Sequence, residues 1–158
     1  VPLLLPENPP CRQLGHRQVH EPRKFFRRAE GELERAVRRF FFLRYPTSRK
    51  VGEGKRIRRS YLEDREELIA QMGAEFFFSR REYDYLHDIE VPPEFSYEFN
   101  VFMELYRLSG EGGISWESMR AWCELRRTRL EQREIDVILK INSWANSEIS
   151  ELEQESEE

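Results

Sequence analysis

The chain has 158 residues, of which 39% are hydrophobic, 35% charged and 13% aromatic. That length suits one domain with a tail or a small second module, and the aromatic share is too high for a fully disordered chain. The formal net charge of −4 conceals a polarised molecule: residues 11–60 carry 16 Lys/Arg against 5 Asp/Glu, whereas residues 61–112 carry 4 against 13. Two distant cysteines, Cys11 and Cys123, make no disulfide framework, which points to a reducing cytoplasm. The apolar opening Val1–Pro6 is short and interrupted by proline, unlike a signal peptide. No run approaches the ~18 apolar residues of a membrane span.

Residues 1–22 hold five of the eight prolines and read as an extended arm. From Arg23 to Tyr45, Phe26, Ala29, Leu33, Ala36, Val37, Phe40 and Phe41 share the apolar face of a helix that Pro46 stops, with arginines on the other faces. Thr47 to Ser60 reads as a basic loop. A second helix is expected from Tyr61 to Phe78, capped by Ser60 with Glu63 and weakened at Gly73. After an acidic, aromatic stretch closed by Pro92-Pro93, a third helix is expected over Phe95–Leu108. Phe95, Phe99, Phe102, Leu105 and Tyr106 line one side of it.

Beyond the glycine-rich terminator 109–113, Ser115 can cap a helix from Trp116 to Arg126. Thr128 with Glu131 forms a capping box for another, from Leu130 to Ile149. The short connection between them predicts an antiparallel helix hairpin. The acidic end from Ser150 should fray. The fold expectation is therefore all-α: a basic, partly disordered N-terminal region (1–60), a helical domain with a C-terminal hairpin (61–150) and an acidic tail (151–158). The chain opens with Val and carries no Met before Met72. A start placed too far upstream, or two joined reading frames, would produce a leader of this kind.

No set of residues meets the geometric requirements of catalysis, and the expectation is a non-enzyme without cofactor or metal. Cys11, His16 and His20 have a faintly zinc-like spacing but lack a fourth ligand. His87 sits among carboxylates with no accompanying nucleophile, and Cys123 falls on an apolar helix face, where a free thiol packs inertly. The basic block offers a nucleic-acid reading through Arg27, Arg28, Arg38, Arg39, Lys55, Arg56, Arg58 and Arg59. Against it stands a surface that docks on the acidic half of the same chain.

The run from Gly112 to Leu125, Gly-Gly-Ile-Ser-Trp-Glu-Ser-Met-Arg-Ala-Trp-Cys-Glu-Leu, continues through Leu130 and Glu134-Ile135 to Ile138-Leu139. It resembles small proteins of tailed-phage tail operons described as tail assembly chaperones. The shared pattern is a Trp-bearing helix ending near Trp-x-x-Leu, a short turn with Leu, and a helix with spaced Ile and Leu. The sequence departs from it at Arg126–Arg129, where a Gly is expected, and at Glu131-Gln132, where Ser or Thr and then Pro are expected. The resemblance implies a non-enzymatic helical adaptor in the cytoplasm of a bacterial host, holding an apolar tail protein such as the tape-measure protein soluble. Some proteins of that kind are frameshifted fusions. Trp116, Met119, Trp122, Ile135, Ile138, Phe99 and Phe102 are the candidate partner-binding residues, with nucleic acid as the second-choice partner.

Overall fold

Apolar periodicity and punctuation by Pro, Gly and Ser place the chain's elements in a computed structural model that describes residues 21–51, 55–109 and 113–157. The first helix, α1, runs Glu21–Arg44 and is followed by two short strands, β1 (Thr47–Val51) and β2 (Lys55–Arg59). Then come α2 (Tyr61–Met72), α3 (Ala74–Ser79), 3-10 turns at Arg81–Leu86 and Pro93–Phe95, α4 (Ser96–Ser109), α5 (Trp116–Arg126) and α6 (Gln132–Glu157). The arm expected over residues 1–22 lies outside the described residues except for its last two, which open α1.

The all-α expectation needs correction. Thr47–Arg59, read as a basic loop, forms an antiparallel pair in the register Thr47↔Arg59, Arg49↔Ile57 and Val51↔Lys55. Its arginines hold it in place. Arg49 donates to Asp64 at 2.5 Å and to the Arg59 carbonyl at 3.0 Å, and its guanidinium lies 4.1 Å from the Tyr61 ring centre. Arg59 bridges Asp64 and Glu67 at 2.9 and 2.5 Å. Strand pairing supported by ion pairs leaves no apolar alternation in the sequence, so the strands carried no period-two signal.

The helix expected over 61–78 is two helices. The Ser60–Glu63 capping box opens α2 as expected, but Gly73 takes φ +87° and ψ 145°, outside any helical conformation, and separates α2 from α3. The acidic end stays helical to Glu157 because Leu152 is buried, and because Tyr45 donates to Glu153 at 2.5 Å.

Two clusters make the core. The larger joins Leu33, Val37 and Phe41 of α1 with Val101, Phe102 and Leu105 of α4, Met119 and Trp122 of α5, and Val137, Ile138, Ile141 and Ala145 of α6. The smaller gathers Leu43, Phe77 and Leu86 beneath Phe42, Tyr61, Leu68 and Ile69. α1 serves both, so the basic helix is a central element of the fold. Fully burying each large apolar side chain stabilises by about 1.5–3 kcal/mol, against about 0–1 for an exposed ion pair. Packing of Leu33, Val37 and Phe41 therefore decides the α1–α6 contact, and the Arg38 pairs with Glu148 and Glu151 at 3.3 and 3.4 Å trim it.

The expected α5–α6 hairpin is also corrected. α6 packs chiefly on α1 and α4, and α5 packs on α4. Met119 and Trp122 enter the core beside Val101, Phe102 and Leu105 of α4, and Glu104 Oε2 on α4 accepts from Trp122 Nε1 and Arg126 Nη2 at 2.8 Å.

Candidate functional site

Ser115 caps α5 by accepting from the Ser118 amide, and Ser118 returns the bond to the Ser115 amide at 2.9 Å. With the N-terminus so fixed, Met119 and Trp122 enter the core while Trp116, one turn earlier, remains 60% exposed. The other end of α5 closes on Arg127, which adopts a left-handed conformation at φ 51°. The Thr128 amide donates to the Cys123 carbonyl and the Arg127 amide to that of Glu124, the paired bonds of a Schellman motif. Arg127 thus occupies the position where glycine was expected. Three residues later Leu130 turns inward, half-buried.

α6 begins differently from the expected Thr128–Glu131 box. The Glu134 side chain accepts from the Glu131 amide at 2.7 Å, so the cap sits one turn further along. Ile135 then follows on the side facing α5.

Between these elements lies an apolar groove of about 350 Å3, lined by Trp116, Met119, Cys123, Leu130 and Ile135, with Thr128 and the arginines Arg120 and Arg129. Its volume is at the lower end of the range for binding clefts. Three of the seven expected partner-binding residues line it: Trp116, Met119 and Ile135. The other four do not. Phe102, Ile138 and Trp122 are buried in the main core, and Phe99 packs half-buried against it, 5.6 Å from the Phe40 ring centre. Leu130 and Cys123 were missing from that set. Leu130 stands in the turn, outside helical periodicity, and the turn Leu of the resemblance pattern is the signal that marks it.

A second exposed aromatic pair lies on α3, where Phe76 and Phe78 flank buried Phe77. Arg80 covers Phe76, its guanidinium 4.4 Å from the ring centre, and His87 packs on Phe78 at 5.1 Å. The His87 ring leans on both Phe77 and Phe78, with Nδ1 3.7 Å from Asp84.

The structure distributes the basic residues unevenly. Arg38 binds Glu34, Glu148 and Glu151, Arg39 donates to the carbonyls of Asp84 and His87, and Arg59 is held by Asp64 and Glu67. Arg28 pairs with Glu32 on its own helix, and Arg58 donates to the Pro46 carbonyl. Arg27, Lys55 and Arg56 are exposed. Asp88 gathers Arg44 and Arg65 at 2.9 and 2.7 Å; burial pushes its carboxyl up, and those two hydrogen bonds outweigh it and hold the carboxyl below its ordinary range.

Among the described residues, no three His, Cys, Asp or Glu side chains converge as a metal site, and no helix is long and apolar enough to cross a membrane. Cys11, His16 and His20 lie outside those residues.

No curated protein and no solved structure matches this chain. Residues 76–143, which include the whole groove, match the family model described as phage tail assembly chaperone, so that over this segment the chain carries the family resemblance read in the Gly112–Leu139 pattern.

Proposed function

We propose that this protein is a phage tail assembly chaperone that takes an apolar helical segment of a tail protein, the tape-measure protein first, into the groove between α5 and the start of α6. The observation that carries the reading is a solvent-open apolar groove inside the matched segment, with Trp116 standing 60% exposed at its edge. Exposed apolar surface on a small helical unit is the ordinary means of holding an amphipathic helix. Trp116, Met119, Cys123, Leu130 and Ile135 form the contact, while Phe99, Phe102, Trp122 and Ile138 belong to the core cluster that Met119 joins. The work takes place in the cytoplasm of the bacterial host and requires no chemistry at the site.

Co-expression with the tape-measure protein of the same phage tests this. The expected result is more soluble tape-measure protein, co-purifying with the chain, and a clear reduction of both with Trp116→Ala. Unchanged solubility with no co-purification would overturn the proposal.

A further inference from the structure

We infer that the segment seated in the groove is an amphipathic helix whose apolar anchors are flanked by Asp and Glu; the inference rests on the groove reading above and adds the partner's charge. Among the described residues, the charged ones lining the groove are Arg120 and Arg129, and no carboxylate lines it. Around it, five arginines fall within fourteen residues, Arg120, Arg126, Arg127, Arg129 and Arg133, in a chain whose net charge is −4.

Glu131 apart, whose side chain has no hydrogen bond or ion pair among the described residues, the nearby carboxylates are engaged. Glu124 pairs with Arg120 at 2.9 Å, Glu104 accepts from Trp122 and Arg126, and Glu134 caps α6. Arg133 lies over the Phe26 ring at 4.8 Å. The side chains of Arg127 and Arg129 have no hydrogen bond or ion pair among the described residues. They contrast with Arg38, Arg44, Arg49, Arg59 and Arg65, each bound to a carboxylate of its own chain. Arg129 lines the groove, and Arg127, exposed at the end of α5, precedes it by two residues.

An apolar floor with a cationic rim selects a ligand with the opposite arrangement. Anchors enter the floor, and acidic neighbours meet the rim, mainly accelerating encounter and rejecting basic segments.

The test uses the full chain with Cys11→Ser, so that alkylation reports Cys123 alone. Two synthetic eighteen-residue helical peptides share one Leu/Ile face; one carries Glu beside that face and the other Lys. The Glu peptide is expected to bind about tenfold more tightly at low ionic strength, with the preference shrinking in salt. It should slow alkylation of Cys123 in the groove. Arg127→Glu with Arg129→Glu should reverse the preference while leaving the thermal transition in place. Equal binding of both peptides with Cys123 protected would overturn the charge inference and leave the groove standing. Binding that leaves Cys123 freely reactive, or no binding of either peptide, would overturn the groove reading and this inference with it.

Discussion

Arg127 shows how far one residue can depart from its sequence pattern without changing the local fold. An L side chain in the left-handed region costs about 1–2 kcal/mol, and glycine avoids that cost. Here the two backbone bonds to Cys123 and Glu124 hold arginine in the conformation anyway. Allowing for glycine's greater freedom in the unfolded chain, Arg127→Gly should stabilise by about 0.5–1 kcal/mol. For a chain of this size that raises Tm by about 1–4 °C. A scanning calorimetry trace with Tm unchanged or lowered would show that the guanidinium contributes to stability in its own right. Glycine's absence from Arg126–Arg129 therefore misdirected expectations about the turn's geometry, although α5 ends at Arg126 as expected.

At the scale of elements, α4 and α5 are joined through Glu104, whose carboxyl lies below its ordinary range because Trp122 and Arg126 both donate to it. A lowered carboxyl contributes stability that is fully present above the ordinary carboxylate range and is lost as pH falls through the folded value. Glu104→Gln should therefore lower Tm at pH 7, and the difference from the unaltered protein should close progressively below about pH 4. Thermal melts across pH 3–7 read this directly; a difference that stays constant with pH would mean that the charge plays no part in the clamp.

Elements with an apolar stripe were legible in advance. α1, α4 and α5 begin and end within two residues of their expected limits, since Pro46, Pro92-Pro93 and Ser115 mark them. The strands were not, because Arg49 and Arg59 hold them through charge to α2 rather than through an alternating apolar face. Nor was the partner of α5. A short loop argues for packing on the next helix, but the indole and guanidinium of α5 find their acceptor on α4. The end of α6 was hidden for a related reason: Leu152 is a single apolar residue among glutamates, and its burial depends on neighbours distant in sequence.

For the whole molecule, the charge division at residue 60 is closed up by folding. Arginines of the basic part meet carboxylates that follow it at Arg38–Glu148, Arg44–Asp88, Arg49–Asp64 and Arg59–Glu67. Lys140 reaches back to Glu30 on α1. α1 also supplies the main core with Leu33, Val37 and Phe41, and the smaller cluster with Leu43. The apolar groove with its arginines, and the aromatic pair on α3, are among the features that remain outward. Of the seven residues expected to bind a partner, three line the groove and four do not, since helical periodicity marks an apolar face without separating its floor from its interior. Ile135 and Ile138 lie one turn apart on α6, yet Ile135 lines the groove and Ile138 is fully enclosed.

Hydrogen exchange of the full chain, alone and with the tape-measure protein, tests the groove as the docking site most directly. The amides of α5 from Trp116 to Cys123 and those of the first turns of α6 should exchange more slowly in the complex, with β1 and β2 unchanged. Slowing confined to α1 and the two strands, or to α3 around Phe76 and Phe78, would contradict it.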